Sequence, residues 1–435
     1  MPVELQREAT SVLQRLLRLN TVNPPGNERP AQEFLKAFLD GAGFETALLG
    51  EDPARPNLVA RLKGARAGPV LGLLSHVDTV VADPEGWRHG PWSGELDDGC
   101  VWGRGALDMK SQTAAETVAA ASLAREGWRP ASGDLLVISV SDEEVGGTGA
   151  EWLTAEHPEL VRCDYLLNEG GGESVEVDGS RAYAMSVGEK GVFRFTLTTD
   201  GAAGHASLPQ VADNALLKLG PLLEAMASGQ PGWDITPAPR ALLAELGLEP
   251  DGDPSSALAA VERRAPALAP LAAAMMQVTF APTMVDASEQ MNVIPARARL
   301  HMDCRVPPGM GEETVRSRVS EVLGDAGYRL DFTEQVTGNA SPPRSPLADA
   351  VARWVDGVEP GARVLPTLCV GYTDSRTFRD AFPDCVAYGF FPHRHMTLQQ
   401  LTELIHGRDE RIDVRDLGLA VDCYRAVATE LLGEA

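Results

Sequence analysis

The sequence predicts an α/β domain interrupted by a smaller, inserted α+β module, and three observations carry that expectation. Apolar runs at 70–76, 134–140 and 165–168 each stop abruptly at polar residues, as strands buried on both faces of a parallel sheet do. From about Gly188 the texture changes to alternation, beginning with Val192-Phe193-Arg194-Phe195-Thr196-Leu197, the pattern of half-exposed antiparallel strands. After a linker-like stretch from Asn339 to Pro346 the α/β character returns. At 435 residues the chain is also long for a single domain. The expected boundaries are 1–186 with 342–435 for the α/β domain, and 187–341 for the insert.

The first helix is expected over 3–19, where Val3, Leu5, Val12, Leu13, Leu16, Leu17 and Leu19 recur at helical spacing. It stops before Asn23-Pro24-Pro25-Gly26, a strong turn signal. A second helix from Arg29 to Ala42 is closed by Gly41 and Gly43, and strands follow at 44–49, 57–62 and 70–76. The long polar loop after Asp78 carries Trp87, Trp92 and Trp102, which argues that it is packed. Gly103 to Lys110 leads into an alanine-rich helix at 111–125. The strand at 134–140 ends in Ser141-Asp142-Glu143-Glu144, and Tyr165-Leu166-Leu167-Asn168-Glu169 repeats that plan before three glycines. In the insert, helices are expected at 213–227 and 256–276, the second after a loose Pro/Gly/Asp stretch. Strands at 277–285 and 296–305, a helix at 312–323 and a strand at 328–335 complete it. The strand at 192–198 reads as an exposed sheet edge. The chain then returns with a helix at 347–356, strands at 364–370 and 386–390, and a last helix at 416–432. There is no internal repeat.

Composition narrows the functional classes. Hydrophobic residues make up 44% of the chain, enough for real cores and too many for disorder. The formal charge of −24 would repel a phosphate backbone or an anionic bilayer, so neither nucleic acid nor membrane is an expected partner. Met1 to Arg18 mixes charged and apolar residues, so neither a signal peptide nor a span is expected there. Six cysteines without a Cys-x-x-Cys pair point to reduced thiols and a cytoplasmic location.

The chemistry concentrates where the buried strands end. His76 and Asp78 close one, Glu143 and Glu144 another, Glu169 a third, and Asp108 lies in a Gly-rich loop just before a helix. Open α/β sheets build their sites outside such carboxyl ends. Carboxylates crowded on one rim repel each other unless cations compensate, and divalent ions are the simplest compensation. Imidazole with carboxylate suits zinc, cobalt or manganese, and one bridging carboxylate can hold two ions about 3.5–4 Å apart.

Four segments occur in order: Ser75-His76-Val77-Asp78-Thr79-Val80, Gly105-Ala106-Leu107-Asp108-Met109-Lys110, Ser141-Asp142-Glu143-Glu144-Val145-Gly146 and Asn168-Glu169-Gly170. With Gly204-His205-Ala206-Ser207, Asn292-Val293-Ile294-Pro295 and His406 to Ile412 they span nearly the whole chain. The chain resembles the co-catalytic metallopeptidases of family M20, the group of aminoacylase-1, succinyl-diaminopimelate desuccinylase, glutamate carboxypeptidase and the carnosinase-like dipeptidases. The resemblance implies a mixed-sheet catalytic domain of the zinc-peptidase kind, with helices on both faces, and makes the insert a lid and dimerisation domain.

Position by position, the resemblance makes Asp108 the carboxylate shared by two ions. His76 and Glu169 become ligands of one ion, Glu144 and His406 of the other. Glu143 becomes the general base, and Asp78 the carboxylate that orients a ligand imidazole. The residues alone do not separate base from ligand at 143 and 144. A cis peptide between Asp108 and Met109 is implied as well. His205 would stabilise the reacting carbonyl oxygen from the partner subunit, while Asn292, Arg305, Gly371 and Thr373 would hold a substrate carboxylate. Tyr372 departs from the family's second glycine in that loop. His393 and His395 have ligand-like spacing but lie in a loop, and His89, His157 and His301 read as surface or packing residues. The implied protein is a homodimeric hydrolase with two zinc ions per chain, for which cobalt or manganese could substitute. It would cleave an amide or peptide bond next to a free carboxylate, as a dipeptidase or carboxypeptidase. The alternative is an N-acyl-amino-acid amidohydrolase of the aminoacylase kind. A non-catalytic binding protein is a third reading, opposed by the intact Glu143 and ligand positions.

Overall fold

The computed structural model describes residues 3–324 and 327–433. Its larger sheet has nine strands and is mixed. Along the sheet run Glu45–Leu49, Asn57–Lys63, Asp134–Val140, Val70–His76, Tyr165–Asn168, Val386–Gly389, Ser180–Glu189 and Arg363–Cys369, with Ser174–Val177 paired to Ser180–Glu189. The three strands with functional ends are parallel neighbours: Val70–His76 lies between the other two, with His76 opposite Val140 and Leu73 opposite Leu167. That register delivers their carboxyl ends to one rim.

Both faces of these strands are covered, which explains their unbroken apolar runs. Leu71, Leu73, Leu135, Val137 and Leu167 join the core beneath the helices Val3–Leu17, Lys110–Arg125, Pro346–Val358 and Val414–Leu432. Leu74, Leu136, Ile138, Val140 and Leu166 pack on the other side with Leu153, Phe378 and Phe382. Lys110–Arg125 is buried from Lys110 to Ala124. Its alanines let the first and last helices approach it while it lies on the sheet.

The smaller sheet holds Phe195–Asp200 between Arg297–Val306 and Arg329–Phe332. The sequence-based expectation of a free edge at 192–198 is therefore corrected: Gly191–Val192 and Phe195–Asp200 are both paired. Alternation reports one exposed face, and it carries no information on whether a strand has neighbours on both sides. Thr279–Asp286 is an open edge, exposed from Ala281 to Asp286 and paired with Arg297–Val306; Arg329–Phe332 ends the sheet on the other side. Helices Leu219–Ser228 and Glu312–Leu323 cover this sheet through Leu219, Leu222, Val315 and Val319.

Two further differences come from prolines. The stretch read as loose contains a helix, Pro237–Glu245, begun by Pro237 at its first turn. The single helix expected at 256–276 is two, Pro254–Arg264 and Ala269–Met275, separated around Pro266. Leu242, Leu243, Leu246, Val261 and Leu268 of this helical segment join the same core as Leu365 and Leu368 of the larger sheet. The tryptophan loop is packed, as expected: Cys100–Trp102 pairs with Glu95–Asp97 and Arg411–Asp413, and Arg88 and Arg411 lie over the Trp102 ring. None of the cysteines is in a disulfide among the described residues, and no described helix is long and apolar enough to cross a membrane.

Candidate active site

His76 is the last residue of its strand, and its carbonyl accepts the Thr113 hydroxyl from the central helix at 3.0 Å. Its ring is fixed on the Nδ1 side, 3.1 Å from the Asp78 carbonyl and 3.4 Å from Asp78 Oδ1. Nε2 therefore faces the rim. There it lies 3.1 Å from Asp108 Oδ1 and 3.8 Å from both Glu143 Oε2 and Glu169 Oε1.

Asp108 arrives on a tight loop. Gly105 has φ +89°, and a Cβ there would come within 2.8 Å of Thr79 Cγ2, so this turn requires glycine. The loop closes with the Lys110 N–H donating to Gly105 O at 2.8 Å, and the Asp108-Met109 peptide is cis. The second Asp108 oxygen, Oδ2, is 3.1 Å from His406 Nε2, which is itself 3.2 Å from Glu144 Oε2. One carboxylate thus stands between two imidazoles, with a different oxygen toward each. Asp78, fully buried, accepts the backbone N–H groups of Glu143 and Glu144, each at 3.2 Å.

The electrostatics are strained without a cation. Burial, with the neighbouring Glu169 charge, pushes Glu143 well above the usual carboxylate range. Burial and the Asp108 charge do the same to Glu169. Burial opposes ionisation of Asp108, yet His406 and His76 hold it below the ordinary range. Its hydrogen bonds to Asp108 and Glu144 push His406 up to about 10. Four acids therefore share two imidazoles, a set that divalent cations would neutralise. Ligand atoms of His76, Glu143 and Glu169 lie within 4.8 Å of one another, as do those of His76, Asp108 and Glu144. Nitrogen and oxygen donors in this ratio suit zinc or its neighbours.

The remaining expected residues are held by partners outside this cluster, although the loop carrying Gly371 and Thr373 runs beside it. His205 lies on Gly204–His205, paired with Val293–Ile294, and Asn292 just precedes that partner; both are exposed, and the Ala206 N–H donates to Asn292 O. Arg305 is tied to Asp303 at 2.9 Å. Thr373 gives its N–H and hydroxyl to the buried Glu189, at 2.6 and 3.1 Å, and Gly371 precedes it in the same loop. His393 is buried apart from the cluster, with Nδ1 unpartnered.

Some supporting residues were not singled out from sequence. Asp374 is buried with Oδ1 unpartnered, and its charge raises both Glu143 and Glu169. It lies inside the Gly371–Arg376 loop, which was the available signal. Arg104 and Glu410 flank the Asp108 and His406 segments, and Asn23 sits in a stretch that reads only as a helix stop.

Comparisons with known proteins give the family and the fold. Residues 72–430 match the family model for Peptidase family M20/M25/M40. The chain is 29% identical over 425 residues to a succinyl-diaminopimelate desuccinylase of Xanthobacter autotrophicus, covering 94% of this chain and 95% of that protein. It is 29% identical over 434 residues to a protein of the same name from Gluconacetobacter diazotrophicus, covering 98% and 97%. Among solved structures, an M20 family metallo-carboxypeptidase from Sulfolobus solfataricus superposes with a TM-score of 0.73 at 18% identity, covering 98% of this chain and 99% of that one. Human carnosine dipeptidase 1 gives a TM-score of 0.68 at 16% identity over 99% and 97%. A dinuclear metal-binding M20 peptidase of Bacillus subtilis gives 0.61 at 13% over 99% of each chain. At these identities the structural likeness is one of fold.

Proposed function

The chain belongs to Peptidase family M20/M25/M40 and is a hydrolase, and from that premise we propose that it is a two-metal enzyme cleaving an amide or peptide bond next to a free carboxylate. The observation that carries this reading is the placement of Asp108, one oxygen toward His76 and the other toward His406. His76 and Glu169 would hold one zinc-class ion, Glu144 and His406 the other, with Asp108 between them. When bound, such ions supply Lewis acidity, which polarises the scissile carbonyl and makes water a nucleophile near neutral pH. Glu143 accepts a proton from the attacking water. It returns that proton to the leaving amine. Asp78 keeps Glu143 aimed by holding its backbone N–H.

In this reading residues 187–341 act as lid and dimerisation unit. Arg305, Asn292 and the Gly371 backbone engage the substrate carboxylate. Thr373 spends both its hydrogens on Glu189 and shapes that loop. His205 is exposed within one chain, and we assign it to the partner's site as a donor to the developing oxyanion.

The likeness to desuccinylases across 94% of the chain favours a second reading, an N-acyl-amino-acid amidohydrolase on the same residues. The two are separated by presenting zinc-loaded protein with matched panels of dipeptides and N-acyl amino acids, N-succinyl compounds included. Release of amine from one panel assigns the class. No hydrolysis of either by metal-loaded protein would overturn the proposal.

A further inference from the structure

We propose that Asn23 is a positioning residue, which aims Glu143 and Glu144 by holding the aspartates that flank them in space and in sequence, Asp78 and Asp142. The inference rests on the functional reading above, because it concerns how that site is held.

The placement of Asn23 follows from local pairing. Val22 makes a parallel bridge with Thr79. The Asn23 N–H donates to Thr79 O at 2.9 Å, the Thr79 N–H to Thr21 O at 3.1 Å, and the Thr21 hydroxyl to Val77 O at 2.5 Å. The segment 21–23 is thereby fastened along 77–79, just past the end of the His76 strand. Asn23, 4% exposed, comes to lie beside Asp78.

Its single amide nitrogen then makes two bonds. Nδ2 donates to Asp78 Oδ2 at 2.9 Å and to Asp142 Oδ1 at 2.8 Å. An amide nitrogen has two hydrogens, so both are spent on carboxylates. Each of these carboxylates controls the 143–144 turn. Asp78 accepts the Glu143 N–H with one oxygen and the Glu144 N–H with the other. Asp142 turns the chain into that segment with φ +71°, a conformation that a non-glycine residue keeps only when its surroundings hold it. Its carbonyl accepts the N–H groups of Gly146 and Gly147, and its carboxylate also takes the Thr148 hydroxyl at 2.6 Å and Arg55 Nη2 at 2.9 Å. Arg55 is in turn gripped by the fully buried Glu28. Asn23 is the link between this outer support and Asp78.

The residue type follows from the acceptors it serves. Two carboxylates converge on one point, and asparagine offers both a hydrogen without adding charge. Aspartate has the same shape and would offer none, placing a third carboxylate there. Serine would offer one hydrogen. Asn23 touches neither His76 nor Glu143 by any side-chain hydrogen bond in the structure, so its influence runs through the two aspartates.

The test compares Asn23→Asp and Asn23→Ser with the wild type. Zinc affinity is read by competition with a colorimetric chelator, kcat and KM on an amide that the wild type cleaves, and folding by thermal unfolding. The expected result for Asn23→Asp is a folded protein whose zinc affinity and kcat each fall about 10–100-fold, with KM unchanged. Asn23→Ser should fall between it and the wild type. A folded Asn23→Asp protein with wild-type zinc affinity and kcat would overturn the inference, as would a loss carried in KM. If Asn23→Asp does not fold, Asn23→Ser decides by the same measurements. A wild-type protein that binds no zinc and cleaves nothing would overturn the functional reading, and this inference with it.

Discussion

Arg104 Nη1 lies 2.6 Å from Glu410 Oε2, and both side chains are buried. Glu410 also accepts the backbone N–H groups of Gly105, Leu107 and Asp108, at 3.0, 2.7 and 3.1 Å. Arg104 Nη2 donates to the carbonyls of His406 and Gly407. The pair therefore joins the loop that delivers Asp108 to the loop that delivers His406. Removing one partner of a buried ion pair leaves the other uncompensated and costs about 3–5 kcal/mol. Glu410→Ala should lower the urea midpoint accordingly, and it should release metal more readily than the wild type does. Unchanged stability together with unchanged metal retention would mean that the pair does not hold the two loops.

Metal dependence has a direct check. Prolonged chelation should abolish hydrolysis, and zinc, cobalt or manganese added back should restore it, with two ions per chain by elemental analysis. Full turnover by rigorously metal-free protein would exclude the two-metal reading.

Glu143 and Glu144 are neighbours with different surroundings. Glu144 sits 3.2 Å from His406, whereas Glu143 stands 3.8 Å from His76 and close to Glu169. Glu143→Gln should keep both ions and reduce kcat by about 10²–10⁴-fold, the range for loss of a general base. Glu144→Gln should lose metal as well as activity. The opposite pattern, with Glu143→Gln depleted of metal and Glu144→Gln active and loaded, would exchange the two roles.

The legibility of this chain depended on what each signal physically encodes. Val70–His76, Asp134–Val140 and Tyr165–Asn168 could be read because strands covered on both faces are apolar throughout, and each gives way abruptly to polar residues at one rim. Their ligand-type endings made His76, Glu143, Glu144 and Glu169 visible together. Hydrogen-bond partners across a sheet are not encoded locally, so Phe195–Asp200 read as an edge although Arg297–Val306 and Arg329–Phe332 flank it. Apolar helical spacing likewise does not say which core a helix joins. Leu242 and Leu246 lie in a stretch that read as loose, yet they join the core of the larger sheet. Asn23 and Glu410 were hidden for another reason: each acts on backbone or carboxylate groups far away in sequence, and neither residue type stands out in a turn.

His393 gives a pH dependence that does not involve the His76–Asp108–His406 cluster. Burial lowers it from 6.5 to about 3, so the folded protein keeps it neutral. Between those values the unfolded chain binds the proton and the folded chain does not, so stability rises with pH across that window. Its contribution is complete above about pH 6.5 and is lost as pH falls toward 3, by at most about 1.4 kcal/mol per pH unit. His393→Gln should therefore lose less stability than the wild type between pH 7 and pH 5 in urea titrations. Equal losses would show that His393 is protonated in the folded state without cost.

The assembly prediction concerns His205. Its Nδ1 lies 2.7 Å from the Ser207 hydroxyl and its ring is exposed, on the paired segment beside Asn292. No hydrogen bond or ion pair among the described residues joins it to His76, Asp108 or His406. A donor so placed can serve an oxyanion only when the inserted unit closes over a site, its own or a partner's. The open edge Thr279–Asp286, with Met284 and Val285 exposed and Met291 beyond it, is the kind of strand that pairs with a second chain. A homodimer formed through this unit would carry His205 toward the partner's site. Loss of one oxyanion donor costs about 10²–10³ in kcat, so His205→Ala should fall by that factor while keeping its metal. Mixing then separates the two cases. A His205→Ala chain paired with a Glu143→Gln chain makes one site with an intact Glu143 and an intact partner His205, so activity should partly return. A monomer in solution, or proven hybrids without recovered activity, would show that His205 does not complete the neighbouring site.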